Sequence, residues 1–259
     1  MLIEAVTDRL SNVDGRFGID YIDLRNGKEL FFGNTHIFPG SGAIMIMPLV
    51  ECFRAMDAGE INEKAVFPLK KAAFPKETDE SYGVLRYMHE GIRITLSDLY
   101  NLVATVSDNM AFNMMVDILG IDRINLTFKS MGYGDMKLNR KINDYALMKK
   151  GVQNYISVKD MAAIFLRMYK GQLISEQVSD RLISLLKQHQ RTNAIPYVFE
   201  ENTSIAHITG YDEDIIIDGG IVFTEEPFIL VMAAQDMDAR KAQMIMRDIT
   251  QICKIAEGI

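Results

Sequence analysis

The sequence predicts an α+β protein of two domains, with an antiparallel sheet flanked by terminal helices and an all-helical domain inserted into it. Three observations lead to this fold class. Strand-like alternation lies near the amino terminus, helical apolar spacing fills the middle of the chain, and strand-like segments return after Pro196. A chain of 259 residues, 48% of them hydrophobic, is long enough to bury a core that both units share.

The first strands form a predicted hairpin. Residues 17–24 alternate apolar and polar side chains, and residues 29–32 return as a second strand after the turn at Asn26-Gly27. Asn-Gly is the strongest short-range hairpin signal. Two strands joined by so short a turn pair antiparallel.

The middle of the chain has the spacing of amphipathic helices. Apolar residues recur at helical intervals over residues 43–58, and the pattern closes at Gly59. The same period occurs in further segments, at residues 97–106, 110–119, 123–131, 157–169 and 175–187. Ser97, Ser157 and Ser175 stand at the amino ends of three of them, where a hydroxyl can cap free backbone N–H groups.

The period changes again after Pro196. Strand-like segments rich in Ile, Val and Phe are separated by short turns, at residues 204–209, 214–223 and 228–234. Residues 238–255 then form an amphipathic helix that closes the chain. We therefore assign residues 1–36 and 190–259 to an α/β domain and residues 37–189 to an all-helical insertion.

Composition excludes several classes of function. The chain carries 28 Lys and Arg against 35 Asp and Glu, a net charge of −7 without a basic cluster, so nucleic acid is not an expected partner. The longest apolar run, residues 42–50, is too short to span a bilayer, which argues against a membrane role. The amino end has no basic start followed by an apolar stretch, so a cytoplasmic location is expected.

Metals and cofactors are not expected either. Cys52 and Cys253 lie far apart in the chain without metal-ligand spacing, and we predict that both are buried free thiols. No GxGxxG or Walker-type loop is present to hold phosphates. The acidic clusters of the chain lack His or Cys at the spacing of metal ligands.

Three short motifs follow one another in a suggestive order. Phe38-Pro39-Gly40-Ser41-Gly42 precedes the first long helix, Ser107-Asp108-Asn109 lies between two helical segments, and His207-Ile208-Thr209-Gly210 lies on a strand before a turn. Taken alone, Ser-Asp-Asn is an ordinary helix cap. Together, in this order and spacing, the motifs resemble those of the class A β-lactamases and the wider penicillin-recognising serine hydrolases.

The resemblance runs from about Gly18 to the end of the chain. It implies an α/β domain built from both termini, packed on an all-helical domain, with the active site in the cleft between them. The family carries S-x-x-K at the start of its central helix, S-D-N on a loop and K-T-G on a strand. The Ser attacks the substrate, and the Lys one turn later takes or relays its proton.

The first motif departs from the family's pattern. Aligning the Phe-Pro pair with the family's lead-in puts Gly42 at the position of the attacking Ser and Met45 at the position of the Lys. In the alternative register Ser41 is the nucleophile, and Ile44 then stands where the base is needed. Neither register contains S-x-x-K. In the first register, Gly42 has no side chain that could act as a nucleophile, and Met45 cannot exchange a proton.

The second motif matches without change. By resemblance, Ser107 is a proton-relay hydroxyl, Asn109 contacts a substrate amide and Asp108 is mainly structural. The third motif matches at Thr209 and Gly210, whereas Ile208 replaces the Lys that supplies positive charge for the substrate carboxylate.

The family's deacylating carboxylate is also missing from its expected loop. Residues 138–145 contain no Glu, and Asp144 is the nearest carboxylate. Related members without lactamase activity tend to carry Asp there, so we assign it no catalytic role.

Three hypotheses follow. The first is a catalytically inactive binding or structural module on this fold, with a small-molecule or peptide ligand in the interdomain cleft. The second is a serine hydrolase (a β-lactamase, esterase or peptidase) with a non-standard nucleophile. A Ser41–His207 pair lacks geometric support for it, because His207 precedes Ile208 and points to the opposite sheet face. The third is a scaffold, for example a homodimer, with a vestigial cleft. The sequence alone does not distinguish the first hypothesis from the third.

Overall fold

A computed structural model describes residues 2–70, 73–74 and 81–258 of the chain. The helices in this described part are α1 (Leu2–Leu10), α2 (Ile46–Asp57), α3 (Leu96–Val106), α4 (Asn109–Leu119), α5 (Ile121–Ser130), α6 (Tyr145–Met148), α7 (Val158–Tyr169), α8 (Glu176–Leu186) and α9 (Ala239–Ala256). The strands are β1 (Arg16–Asp23), β2 (Glu29–Gly33), β3 (Ile37–Pro39), β4 (Val66–Pro68), β5 (Arg93–Thr95), β6 (Tyr155–Ser157), β7 (Ser204–Tyr211), β8 (Ile215–Phe223) and β9 (Phe228–Gln235).

Five strands form an antiparallel sheet in the order β2-β1-β9-β8-β7. The hairpin around Asn26-Gly27 pairs Tyr21 with Leu30, and β7 pairs with β8 so that Thr209 lies opposite Asp218. The central strands are buried on both faces, which explains why their sequences read as continuous apolar runs instead of alternating ones. This mixture of helices with an antiparallel sheet confirms the predicted α+β class.

The sheet lies between two sets of helices. On one face α1 and α9 pack against the strands, and Val6 and Leu10 meet Ile245 and Ile249 in an apolar cluster. On the other face α7 contacts β1, β8 and β9, and the remaining helices continue this layer around α2. The fold thus has the terminal helices on one side and the inserted helices on the other, while the domain boundaries themselves stay a prediction.

Helix α2 is the centre of the inserted layer. Almost every residue from Ile46 to Ala55 is buried, and a helix apolar on all sides belongs in the interior. Its one buried carboxylate, Glu51, accepts hydrogen bonds from Arg54, Arg123 and Thr127. Burial opposes ionisation of Glu51, but these partners outweigh it and lower its pKa.

Several local details differ from the sequence expectations. The first long helical segment begins as a 3₁₀ turn, Ser41–Met45, before α2. Ser97 is not a cap: Thr95 caps α3 in a reciprocal pair with Asp98, whereas Ser157 and Ser175 cap α7 and α8 as predicted. The short elements α6 and β3 to β6 were not predicted, because three or four residues are too few to show a period.

Candidate functional site

A cleft of about 720 Å³ opens beside the carboxyl end of β7, the start of α2 and the turn that joins α3 to α4. Some of the predicted site residues line it, namely Gly42, Met45, Ser107 and Asn109. The others lie behind its surface, namely Asp108, Ile208, Thr209 and Gly210. All three motifs therefore meet at one place, although they are far apart in the sequence.

The wall formed by the 3₁₀ turn is pressed against β7. A Cβ added to Gly42 would lie 2.8 Å from the carbonyl oxygen of Thr209 and 3.3 Å from the Cα of Gly210. A Cβ added to Gly210 would in turn lie 2.9 Å from the backbone nitrogen of Ala43. The two glycines thus allow a close backbone approach at the position where the resemblance places the attacking Ser.

Two side chains at the positions where the resemblance predicts Lys are apolar and buried. Met45 is 1% exposed, and Ile208 is 0% exposed. Both belong to the apolar cluster around α2. An ammonium group at either position would lose its hydration in these surroundings.

The turn between α3 and α4 is fixed by Asp108. Its carboxylate accepts the N–H groups of Met110 and Ala111, as an N-cap of α4, and also those of Val84 and Leu85. Gly83 permits this contact, because a Cβ there would lie 2.3 Å from the Asp108 carboxyl group. Asp108 therefore ties the cleft turn to the loop that precedes residues 85–87.

Two serine hydroxyls at the cleft lack partners. Ser107 follows the last residue of α3 and has a left-handed backbone conformation, with φ 54° and ψ 47°. The residue is 2% exposed. Ser41 also has positive φ, at 39°. Within the described residues, the Oγ atoms of Ser41 and Ser107 are both buried without a hydrogen-bond partner. Buried polar atoms are normally satisfied, so two orphaned hydroxyls beside one cleft are unusual.

His207 does not take part in the cleft. Its Nδ1 lies 2.9 Å from Oδ1 of Asp218, whose other oxygen accepts the N–H of Ile195. Ile208, the next residue, faces the opposite apolar cluster, as strand alternation requires. His207 is therefore not a partner for Ser41 in this structure.

His189 follows α8 and belongs to none of the three motifs. Its Nδ1 lies 2.6 Å from the carbonyl oxygen of Ala104, and its Nε2 lies 3.0 Å from Oγ1 of Thr209. Burial, together with the neighbouring His207, lowers the pKa of His189 to about 4. The imidazole is therefore neutral at pH 7 and links β7 to the end of α3.

Arg191 and Tyr82 form a second feature that no motif signals. Both line the cleft, and the guanidinium carbon of Arg191 lies 4.5 Å from the centre of the Tyr82 ring. Burial lowers the pKa of Arg191. This stacked pair brings a partly buried positive charge into a cleft whose β7 wall carries Ile208 in place of a cation.

The loop after residue 138 is held by its own polar groups. Arg140 donates hydrogen bonds to the carbonyl oxygens of Val152 and Lys141 and to Oε1 of Gln153. Asp144 accepts the N–H of Leu147 as the cap of α6, and it does not line the cleft. These contacts give both residues a role in shaping the loop.

The described residues contain neither a metal-binding cluster nor a helix that could span a membrane. No group of three or more His, Cys, Asp or Glu side chains in that part of the chain is placed to hold a metal ion. No helix among the described residues has both the length and the apolar character needed to cross a bilayer.

Comparison with known proteins agrees with this geometry. Residues 1–256 match the sequence model described as the Beta-lactamase enzyme family. Beta-lactamases CARB-3 and PSE-4 of Pseudomonas aeruginosa are each 23% identical over 202 residues, which cover 77% of this chain and 68% of the relative. A β-lactamase from Sphaerobacter thermophilus superposes with a TM-score of 0.86 at 24% identity, covering 99% of this chain and 97% of that one. The structure of PBP-A superposes with a TM-score of 0.88 at 23% identity. The superposition covers 100% of this chain and 96% of PBP-A.

Proposed function

Because the chain belongs to the beta-lactamase enzyme family, we propose that it uses the family's cleft to bind a small molecule or peptide without forming an acyl-enzyme. The observation that supports this proposal is Gly42, which the resemblance places at the position of the attacking Ser and which has no hydroxyl. In a serine hydrolase, the attacking hydroxyl is worth on the order of 10⁶ in kcat.

The neighbouring positions support the proposal. A Ser nucleophile needs a base within hydrogen-bond reach, and the thioether of Met45 cannot accept a proton from it at ordinary pH. Ile208 offers no charge on the β7 wall. The three replacements are compatible with one another, because buried ammonium groups without counter-charges would cost several kcal/mol in this apolar cluster.

Binding, as opposed to a purely structural role, is supported by the cleft itself. Its volume of about 720 Å³ is in the range of small-molecule sites. Asn109, which carries a side-chain amide, is among the polar residues that line it.

The test is intact-mass spectrometry after prolonged incubation with benzylpenicillin or a chromogenic cephalosporin. We expect no adduct with the parent protein and none with Gly42→Ser, which restores the hydroxyl without a base. The comparison variant combines Gly42→Ser with Met45→Lys and Ile208→Lys. A Cβ at residue 42 would lie 2.8 Å from the carbonyl oxygen of Thr209, so a melting curve must first show that this variant folds. An acyl adduct on the folded triple variant would support the alignment. A stoichiometric adduct on Ser41 or Ser107 of the parent would contradict the proposal.

A second candidate is a hydrolase with another nucleophile, and one observation favours it. The Thr209 hydroxyl is hydrogen-bonded to neutral His189, whose other nitrogen is oriented by the Ala104 carbonyl, which is the arrangement of an activated nucleophile. Thr209 is 8% exposed and does not line the cleft, which argues against it. Hydrolysis of 4-nitrophenyl acetate that Thr209→Val abolishes, while Thr127→Val preserves it, would establish this alternative.

A further inference from the structure

We propose that β2, an outer strand of the five-stranded sheet, pairs with β2 of a second copy of this chain and forms a two-fold symmetric dimer. The inference goes beyond the proposed function, because it does not involve the cleft. The other outer strand, β7, is covered at its cleft end by the turn at Ser41–Met45. In the described part of the chain, β2 pairs with β1 and with no other strand.

The backbone of β2 has unpaired hydrogen-bonding groups along its outer edge. At the two ends of the β1–β2 ladder, the N–H of Asp23 donates to the carbonyl oxygen of Lys28 and the N–H of Asn34 donates to that of Phe17, each at 3.0 Å. In an antiparallel pair such bonds fall on alternate residues, so the N–H and C=O groups of residues 29, 31 and 33 point away from β1. No hydrogen bond reaches these groups from elsewhere in the described chain. The edge is therefore a template for a further strand.

The sequence of β2 does not protect this edge. Natural proteins block edge strands with Lys, Pro or a β-bulge. The strand reads Glu29-Leu30-Phe31-Phe32-Gly33, without Lys or Pro, and its register with β1 is continuous. Its three apolar side chains are half-buried: Phe31 packs toward the inserted helices, whereas Leu30 and Phe32 pack toward α1 and α9. A paired strand would therefore cover apolar surface on both faces of the sheet.

The strand is complementary to itself. When two copies of β2 pair antiparallel about an axis through Phe31, Glu29 of each copy lies opposite Gly33 of the other. Every outward N–H and C=O then has a partner, which gives about six hydrogen bonds across the axis. The two Phe31 side chains meet on one face of the joined sheet, and on the other face Leu30 of each copy meets Phe32 of the other. This self-complementarity favours a second copy over the strand of another protein.

Charge selects this register over its neighbours. An axis through Glu29 would place two carboxylates opposite each other, which is unfavourable. An axis through Gly33 would place Phe31 opposite Thr35, which lies beyond the end of β2. With the axis at Phe31, Glu29 of each copy lies diagonally across from Phe31 of the other, whose ring carries the ammonium of Lys159 at 4.5 Å from its centre. Opposite charges therefore approach each other across the interface.

The dimer should be weak, because five residues of each copy form the centre of the contact and small interfaces give transient complexes. We expect a Kd on the order of 10–100 μM, measured by sedimentation velocity of the full chain from about 2 to about 500 μM. Phe31→Lys places two ammonium groups opposite each other and should weaken dimerisation at least about tenfold. Val66→Lys is the matched control, because Val66 is 42% exposed on another short strand, β4. Melting curves check that both variants are folded.

Disulfide cross-linking tests the register by a second route. In Phe31→Cys the two-fold axis places the two new thiols opposite each other, within reach of a disulfide when oxygen and a copper catalyst are added. Glu29→Cys is the matched control: Glu29 is more exposed than Phe31, but its two copies would lie four residues apart along the strands, about 14 Å. We expect Phe31→Cys to form the linked dimer at least about tenfold faster than Glu29→Cys. The native Cys52 and Cys253 are buried and should not react.

Several results would overturn the inference. These are a parent protein that stays monomeric at the highest concentration, undiminished dimerisation of folded Phe31→Lys, the same loss in Val66→Lys, or equal rates of cross-linking in the two cysteine variants. Assemblies larger than a dimer would also overturn it, because a two-fold pair of edges closes at two copies. If Phe31→Lys does not fold, the comparison of Phe31→Cys with Glu29→Cys still decides the question.

Discussion

The side-chain hydroxyl of Thr209 donates a hydrogen bond to Nε2 of His189 across 3.0 Å. The direction follows from the other nitrogen, because the carbonyl oxygen of Ala104, 2.6 Å from Nδ1, can only accept. Nδ1 therefore carries the proton of the neutral ring. This imidazole joins the strand that bears Thr209 to the helix that ends at the cleft turn.

We expect this link to stabilise the fold measurably. His189→Ala leaves the Thr209 hydroxyl buried without a partner, and Thr209→Val leaves Nε2 unpaired, so each should cost about 1–3 kcal/mol. For a chain of this size, each kcal/mol lowers Tm by about 2–4 °C. The double variant should lose less than the sum, and His36→Ala, at an exposed histidine, is the control. Additive losses would show that the two side chains do not interact.

Asp20 predicts an unusual dependence of stability on pH. The carboxyl group is 0% exposed with neither oxygen hydrogen-bonded in the described residues. Burial, aided by Glu29 and opposed by Lys159, raises its pKa to about 7. Between about pH 4 and 7 the folded state holds a proton that the unfolded state has lost. Stability should therefore fall as pH rises, by up to about 1.4 kcal/mol per pH unit.

Asp20→Asn should remove this slope. The variant is expected to melt higher than the parent at pH 8, with the difference shrinking toward pH 5. Asp23→Asn, on the same strand, is the matched control, because its effect on stability should depend on pH in the opposite direction. Burial opposes ionisation of Asp23, but hydrogen bonds from Arg25 outweigh it and lower its pKa. Its removal should thus destabilise the protein at pH 7 and matter less in acid. A parent Tm that does not fall between pH 5 and 8 relative to Asp20→Asn would refute the prediction.

Met45→Lys tests whether the buried wall of the cleft tolerates a charge. Met45 is 1% exposed and packs in the cluster that contains Ile208, so an ammonium there should have a depressed pKa and cost a few kcal/mol. Such a Lys binds fewer protons in the folded than in the unfolded state, so stability rises with pH and Tm should be lower at pH 6 than at pH 9.

The control is Met148→Lys, since Met148 also lines the cleft but is 42% exposed. We expect its melting temperature to stay close to that of the parent at both pH values. If Met45→Lys behaves in the same way, the ammonium is hydrated and the wall around Met45 is open to water.

Gly83→Ala tests the link between Asp108 and the loop before residues 85–87. Gly83 has φ +106°, and an added Cβ would overlap the Asp108 carboxyl group at 2.3 Å. We expect a loss of more than about 2 kcal/mol and a lower Tm. Gly59→Ala is the matched control, because Gly59 also has positive φ, +68°, with nothing within 4 Å. It should cost about 1 kcal/mol, and equal losses would mean that the contact with Asp108 is unimportant.

The sequence by itself determined the order of the main elements and the family resemblance. The Asn26-Gly27 turn, the serine caps of α7 and α8, and the helical period of residues 43–58 are local signals, because hydrogen bonds and apolar spacing within a few residues produce them. The motifs around Gly42, Ser107 and Ile208 are equally local. They also led to the prediction that the residues at the family's catalytic positions are unusual.

The tertiary structure alone decided which other side chains share the cleft. Arg191, Tyr82 and His189 belong to no motif, and their relation to Ser107 and Thr209 depends on how the chain after α8 packs on α3 and β7. Whether a hydroxyl is orphaned or a cation unpaired is a property of three-dimensional neighbours that are distant in sequence. The energetic cost of an unpaired polar or charged group depends on its burial and on its distance from other charges. Neither can be read from the order of residues.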